Sequence, residues 1–95
     1  MQIRVRFFAM LRERAGKADV RWQVDSGETV GGLWEALCSE FPGLGGPNMT
    51  VAFAVNREYV DRFHRLNDND EVAIIPPVSG GVPYVFPEFR TDRPH

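Results

Sequence analysis

The sequence predicts an α+β domain in which one main helix packs across a mixed sheet. Three observations carry that expectation. Two alternating polar–apolar runs open the chain, one run with helical spacing follows, and further extended runs precede a tail rich in Pro and Gly.

The first run is Gln2-Ile3-Arg4-Val5-Arg6-Phe7-Phe8, whose period of two puts Ile3, Val5 and Phe7 on one face of a strand. The same period sends Gln2, Arg4, Arg6 and Phe8 to the other face, where Phe8 is an aromatic in a polar place. It is a candidate interface residue, and equally a side chain covered by its own chain. Residues 9–18 are polar, and Gly16 allows a turn, so a hairpin connection is expected there. Val20, Trp22 and Val24 then alternate with Arg21 and Gln23 as a second strand paired with the first.

Thr29 is a candidate helix cap, and Val30, Leu33, Trp34, Leu37 and Phe41 follow at three- and four-residue spacing. Pro42 disfavours helical geometry in the residue before it, so the helix stops near Phe41. Cys38 lies on this helix, where it reads as a partly buried spectator thiol. Residues 43–49 have loop composition, and Thr50 to Val55 is an apolar, β-branched run expected to be a central strand. Asn56-Arg57-Glu58 turns the chain into the short extended piece Tyr59-Val60, and Glu71 to Ile75 is the last strand. This order of elements is that of the β-grasp, the ubiquitin-like fold.

After Ile75, Pro76-Pro77 favours an extended conformation without donors, and Val78-Ser79-Gly80-Gly81 is thin and flexible. Residues 82–95 carry Tyr84, Phe86 and Phe89 among three prolines without a clear period, as an extension to a domain spanning 1–81.

Composition narrows the function. The 95 residues suit one domain, 43% hydrophobic and 25% charged, and the formal net charge is -2 with Lys and Arg scattered. No basic stripe fits nucleic acid, and no apolar run approaches the roughly 20 residues that cross a bilayer. One Cys allows no internal disulfide, and the N-terminus does not read as a signal peptide, so a cytoplasmic location is expected. No metal-ligand spacing or phosphate loop is present, so no bound cofactor, no metal and no self-contained active site are expected. His64 reads as a solvated loop histidine, and Asp61, Asp68, Asp70 and Glu71 as turn formers on a solvated face.

Of three Gly-Gly pairs, Gly31-Gly32 sits at a helix entrance and Gly45-Gly46 in a loop. Gly80-Gly81 differs because it follows a stiff Pro-Pro spacer after the last strand. Two residues without Cβ can enter a channel closed to other side chains, and a glycyl carboxylate is open to activation and attack.

Val5-Arg6-Phe7-Phe8-Ala9 with Arg12-Glu13, Ala54-Val55-Asn56, and the run from Leu66 through Asp70-Glu71-Val72 to Pro76-Pro77-Val78-Ser79-Gly80-Gly81 resemble the MoaD family, the small subunits of molybdopterin synthase. The similarity runs from Met1 to Gly81. It implies that an E1-like adenylating enzyme uses ATP to activate the Gly81 carboxylate, and that a sulfur donor converts it to a thiocarboxylate. It further implies that the Gly80-Gly81 tail enters the large subunit and delivers sulfur to cyclic pyranopterin monophosphate. The general acid–base groups would then belong to that subunit, leaving this chain a non-catalytic sulfur-donating one. On the same resemblance, Phe8, Tyr59 and Ile75 are candidates for the sheet face that docks the partner, with Arg12 near its rim and Pro76 and Pro77 leading the tail in. Core placement is the other reading of Tyr59 and Ile75.

One departure matters chemically. Fourteen residues follow Gly81 (95 minus 81), so its carbonyl is held in a peptide bond to Val82. Either the chain is a precursor cut by a protease after Gly81, or residues 82–95 link to a large subunit, whose beginnings Phe89-Arg90-Thr91-Asp92-Arg93-Pro94 resembles. Two other readings are a sulfur carrier for thiamin or cysteine synthesis, and a β-grasp interaction module with an uncleaved tail.

Overall fold

A computed structural model describes residues 1–45 and 49–76. Its elements are β1 (Gln2–Phe7), α1 (Met10–Ala15), β2 (Asp19–Gln23), α2 (Val30–Glu40), a single 3-10 turn at Pro42–Leu44, β3 (Ala52–Val55), β4 (Glu58–Val60) and β5 (Glu71–Ile75). The five strands form one mixed sheet in the order β2-β1-β5-β3-β4. β1 runs antiparallel to β2 and parallel to β5, while β3 runs antiparallel to both β4 and β5. The expected β-grasp architecture is therefore present. The expected central strand β3 is interior, but the middle position belongs to β5.

The core forms because the strand alternation and the helix stripe face each other. Ile3, Val5 and Phe7 of β1, Phe53 and Val55 of β3, and Val72 and Ile74 of β5 pack with Val30, Leu33, Trp34, Leu37 and Cys38 of α2. Val5, Leu33, Leu37 and Ile74 are wholly buried, each such side chain stabilising the fold by roughly 1.5–3 kcal/mol relative to exposure. α2 begins where Thr29 was expected to cap it, its side chain accepting from the Gly32 N–H at 3.2 Å, and it ends at Phe41.

The connection between β1 and β2 is where expectation and structure part. Residues 10–15 form the helix α1 rather than a simple turn, closed by Gly16 in the left-handed region at φ 80° with its N–H on the Arg12 carbonyl. Leu11 anchors it, fully buried, with Ala15 packed against the edge of the core. One fully buried side chain in six residues gives no visible period, which is why the sequence reads as polar turn there.

A second departure concerns Asp70, which is buried rather than solvated, at 7% exposure. Its carboxylate accepts from Asn56 Nδ2 at 2.9 Å and from the Asn67 N–H at 2.7 Å. Asn56 in turn accepts from the Glu71 N–H at 3.0 Å and donates its own N–H to the Glu71 carbonyl at 2.8 Å. The β3–β4 turn, with Asn56 and Arg57 at φ 51° and 71° as a two-residue hairpin prefers, is thereby tied to the start of β5. Asp70→Ala strands two donors, and the expected cost is about 1–3 kcal/mol, read as a lower urea midpoint with unchanged slope. An unchanged midpoint would remove Asp70 from this role.

Candidate functional site

The sheet has a second face, opposite α2, and the register fixes its residues. Arg6 of β1 lies beside Ala73 of β5, Ala73 beside Ala54 of β3, and Ala54 beside Tyr59 of β4. One step toward the end of β5, Ile75 pairs with Ala52, and Phe8 follows Phe7 on the other side. Ala54, Ala73 and Ile75 form a cluster separate from the core, with Phe8, Ala52 and Tyr59 packed against it. Toward β2 the same face turns charged, where Arg4 meets Asp19 at 3.2 Å, and at the start of β5 Glu71 lies 3.7 Å from Arg6 on one side and from Arg57 of the β3–β4 turn on the other.

The structure therefore gathers Phe8, Tyr59 and Ile75 on one face, three residues far apart in sequence. Phe8 and Tyr59 are half-buried, whereas Ile75 is only 2% exposed. Arg12 is exposed on α1, and Pro76 is buried directly after Ile75. Pro77, Gly80 and Gly81 lie outside the described residues. Because β5 occupies the middle of the sheet, its last residue, Ile75, lies between Phe8 and Ala52, at the rim of this apolar face.

Phe8 is positioned by its neighbours on both sides. The guanidinium of Arg6 stacks 5.0 Å from the centre of its ring, a cation–π arrangement. On the other side Ala9 takes φ 52°, ψ -128°, and the Leu11 N–H bonds the Phe8 carbonyl at 3.1 Å, which makes a type II′ turn with a side chain where glycine is preferred.

The alternation in β1 and β5 marks Phe8 and Ile75, but Ala52, Ala54 and Ala73, the floor of the face, carry no signal of their own. Applying the period of two to both faces of β3 and β5 would have found them, since each alternates with a larger core residue. The other glycine pairs have local explanations. The Gly31 N–H bonds the Arg62 carbonyl at 2.8 Å, and a Cβ there would lie 3.1 Å from that oxygen. Gly45 holds φ 136°, and Gly46 lies outside the described residues.

Among the described residues no three His, Cys, Asp or Glu side chains could hold a metal ion, and no helix is long and apolar enough to cross a membrane. Cys38 is buried and in no disulfide. A hollow of about 530 Å³ lies beside β3 and β4, lined by Trp34, Met49, Thr50, Tyr59, Asp61 and Arg62 among others. What the arrangement offers is an apolar face with the end of β5 at its rim.

Known proteins place these features in context. Residues 5–81 match the model of the ThiS family. A molybdopterin synthase sulfur carrier subunit from Chlamydomonas reinhardtii is 41% identical over 83 residues, covering 85% of this chain and all of that one. The crystal structure of SAMP1, a small archaeal modifier protein from Haloferax volcanii, superposes with a TM-score of 0.74 at 31% identity over 85% of this chain and all of its own. In the complex of subunits 1 and 2 of the molybdopterin-converting factor from Helicobacter pylori, a chain fully covered by 85% of this one superposes with a TM-score of 0.60 at 27% identity.

The Ala9 turn gives a direct test of how Phe8 is held. A non-glycine residue in this region is strained by about 1–3 kcal/mol, against a loss of roughly 0.4–1 kcal/mol from the freer unfolded chain, so Ala9→Gly is expected to raise stability by about 1 kcal/mol. A fall in the urea midpoint would contradict the strained turn.

Proposed function

This chain belongs to the ThiS family, and we propose that it works as the sulfur-carrier subunit of a molybdopterin synthase, a non-catalytic partner of a larger subunit. The observation that carries this is that β5, the middle strand of the sheet, ends beside an apolar face, with Gly80-Gly81 following shortly after it in the sequence. Gly81 stands six positions after Ile75 (81 minus 75), a length of chain that spans about 20 Å when fully extended. That distance suits insertion of the glycines into another protein's active site while the sheet face docks outside it. The identity with the Chlamydomonas subunit and the likeness to the Helicobacter complex support the same reading.

In this account residues 1–81 are the carrier and residues 82–95 an extension. Water adds at the Gly81 carbonyl with protease help, the bond to Val82 breaks, and Gly81 gains a carboxylate while Val82 leaves as an amine. An E1-like enzyme then adenylates that carboxylate with ATP, and a sulfur donor exchanges the adenylate for a thiocarboxylate. The chain supplies no acid or base to these steps, and its part is to present an unhindered acyl group. The sulfur passes to cyclic pyranopterin monophosphate inside the large subunit, making this chain the sulfur-donating half of a sulfurtransferase. ATP-dependent activation suits a cytoplasmic location. Were residues 82–95 instead a linker to a large subunit, Gly81 would keep its peptide bond and no carboxylate would form.

The likeness to SAMP1 favours a second reading, in which the same Gly81 carboxylate is joined to other proteins as a modifier. Reconstitution separates the two. With activating enzyme, ATP, sulfur donor and large subunit, chain exposed at Gly81 is expected to convert the pyranopterin to molybdopterin; lysine-linked adducts without pterin conversion would favour the modifier reading. In the same system Phe8→Asp is expected to weaken binding to the large subunit at least tenfold by calorimetry, with the fold intact. Unchanged affinity would take Phe8 out of the interface.

A further inference from the structure

Among the described residues one large apolar side chain stands well out into water: Phe63, 75% exposed. On a loose loop that would say little, since single exposed apolar residues are common. The turn that carries Phe63 is held, however. Its N–H bonds the Asp61 carboxylate at 2.9 Å, and the His64 N–H bonds the Asp61 carbonyl at 3.2 Å. The same segment is clamped to the start of α2, where the Gly31 N–H bonds the Arg62 carbonyl at 2.8 Å, the Val30 N–H bonds the His64 carbonyl at 2.9 Å, and the Leu66 N–H bonds the Glu28 carbonyl at 2.8 Å. An aromatic presented on so fixed a backbone loses little freedom when a surface closes over it, which is what a binding anchor requires.

The surface beside this anchor is concave. Arg62, the residue before Phe63, stands in the wall of the hollow along β3 and β4, so anchor and hollow are neighbours. Trp34, Met49, Val51 and Val60 give that hollow apolar lining, and its volume of about 530 Å³ accommodates a phenyl ring. An anchor next to a receptacle of matching chemistry makes a self-complementary surface. Turned by half a revolution about an axis between the two, a second copy offers its hollow to the first Phe63 and its own Phe63 to the first hollow. Charge does not oppose the match. Asp61, Arg62, Arg65 and Glu35, the exposed charged residues of the turn and its ion pair with α2, are two of each sign, with Arg62 and Glu35 already 3.2 Å apart.

We propose that this surface pairs two copies of the chain, the Phe63 ring of each seated in the hollow of the other. Each ring brings roughly 150–250 Å² of surface and covers a comparable area of lining, so the pair buries no more than about 1,000 Å² and dissociates on dilution. The contact uses residues of α2, β3, β4 and the turn after β4, and it is independent of Gly81 and of the chemistry proposed there.

Sedimentation velocity on the full chain tests the pairing. Over about a hundredfold range of concentration the parent is expected to pass from monomer to a species of twice the mass, and to grow no further. Phe63→Asp removes the anchor, while Thr50→Arg obstructs the hollow from an exposed position; each is expected to move the dimerisation midpoint to at least tenfold higher concentration. Mixed in equal amounts the two variants should associate more tightly than either alone, since one anchor meets one open hollow and the introduced carboxylate faces the introduced guanidinium. Urea midpoints matching the parent's check that both variants fold. In parent chain mixed from isotope-labelled and unlabelled halves, intermolecular Overhauser effects from the Phe63 ring to the Val51 and Val60 methyls locate the contact without any variant. A chain that stays monomeric throughout overturns the proposal, as does a dimer that Phe63→Asp leaves unchanged, growth beyond the dimer, or intermolecular effects confined to the methyls of Ala54 and Ala73.

Discussion

The constraint on which the structure depends is the placement of β5 between β1 and β3. Its parallel pairing with β1 joins the two ends of the folded chain, and its antiparallel pairing with β3 brings in the hairpin that follows α2. A parallel pair cannot be closed by a tight turn, so everything between β1 and β5 acts as the crossover. α2 packs on one side of the sheet as part of that crossover, and the last residue of β5 is left pointing out of the middle. Had β5 formed at an edge, the chain would leave from a corner, away from the apolar face beside Phe8.

Such a register needs to be fixed, because a one-residue slip would exchange the faces and put Ala73 and Ile75 into the core. The Asn56–Asp70 clasp meets that need at the start of the strand, supported by Arg4 donating its N–H to the Asp70 carbonyl and Asn69 donating to the Gln2 carbonyl. Asn56 and Asp70 thus have a structural purpose, holding the start of the strand that precedes Pro76.

Much of this was legible in the sequence because strong periods leave little choice. β1, α2 and β5 follow from alternation and helical spacing, and the cap at Thr29 falls where its residue type places it. α1 was not legible, since one buried leucine in six residues cannot declare a period. Asp70 was misread because a lone acid in a polar run looks solvated, and only the arrival of Asn56 from fifteen residues before Glu71 shows that it is not. The apolar face was half visible: Phe8, Tyr59 and Ile75 could be named, but alanines are silent until strand pairing sets them side by side.

The central claim is that this fold exists to present a C-terminal glycyl sulfur. Intact-mass spectrometry of the protein isolated from its native cell tests it most directly. The account predicts a species ending at Gly81, part of it heavier by the exchange of one oxygen for sulfur. A population in which every molecule retains residues beyond Gly81 would contradict it.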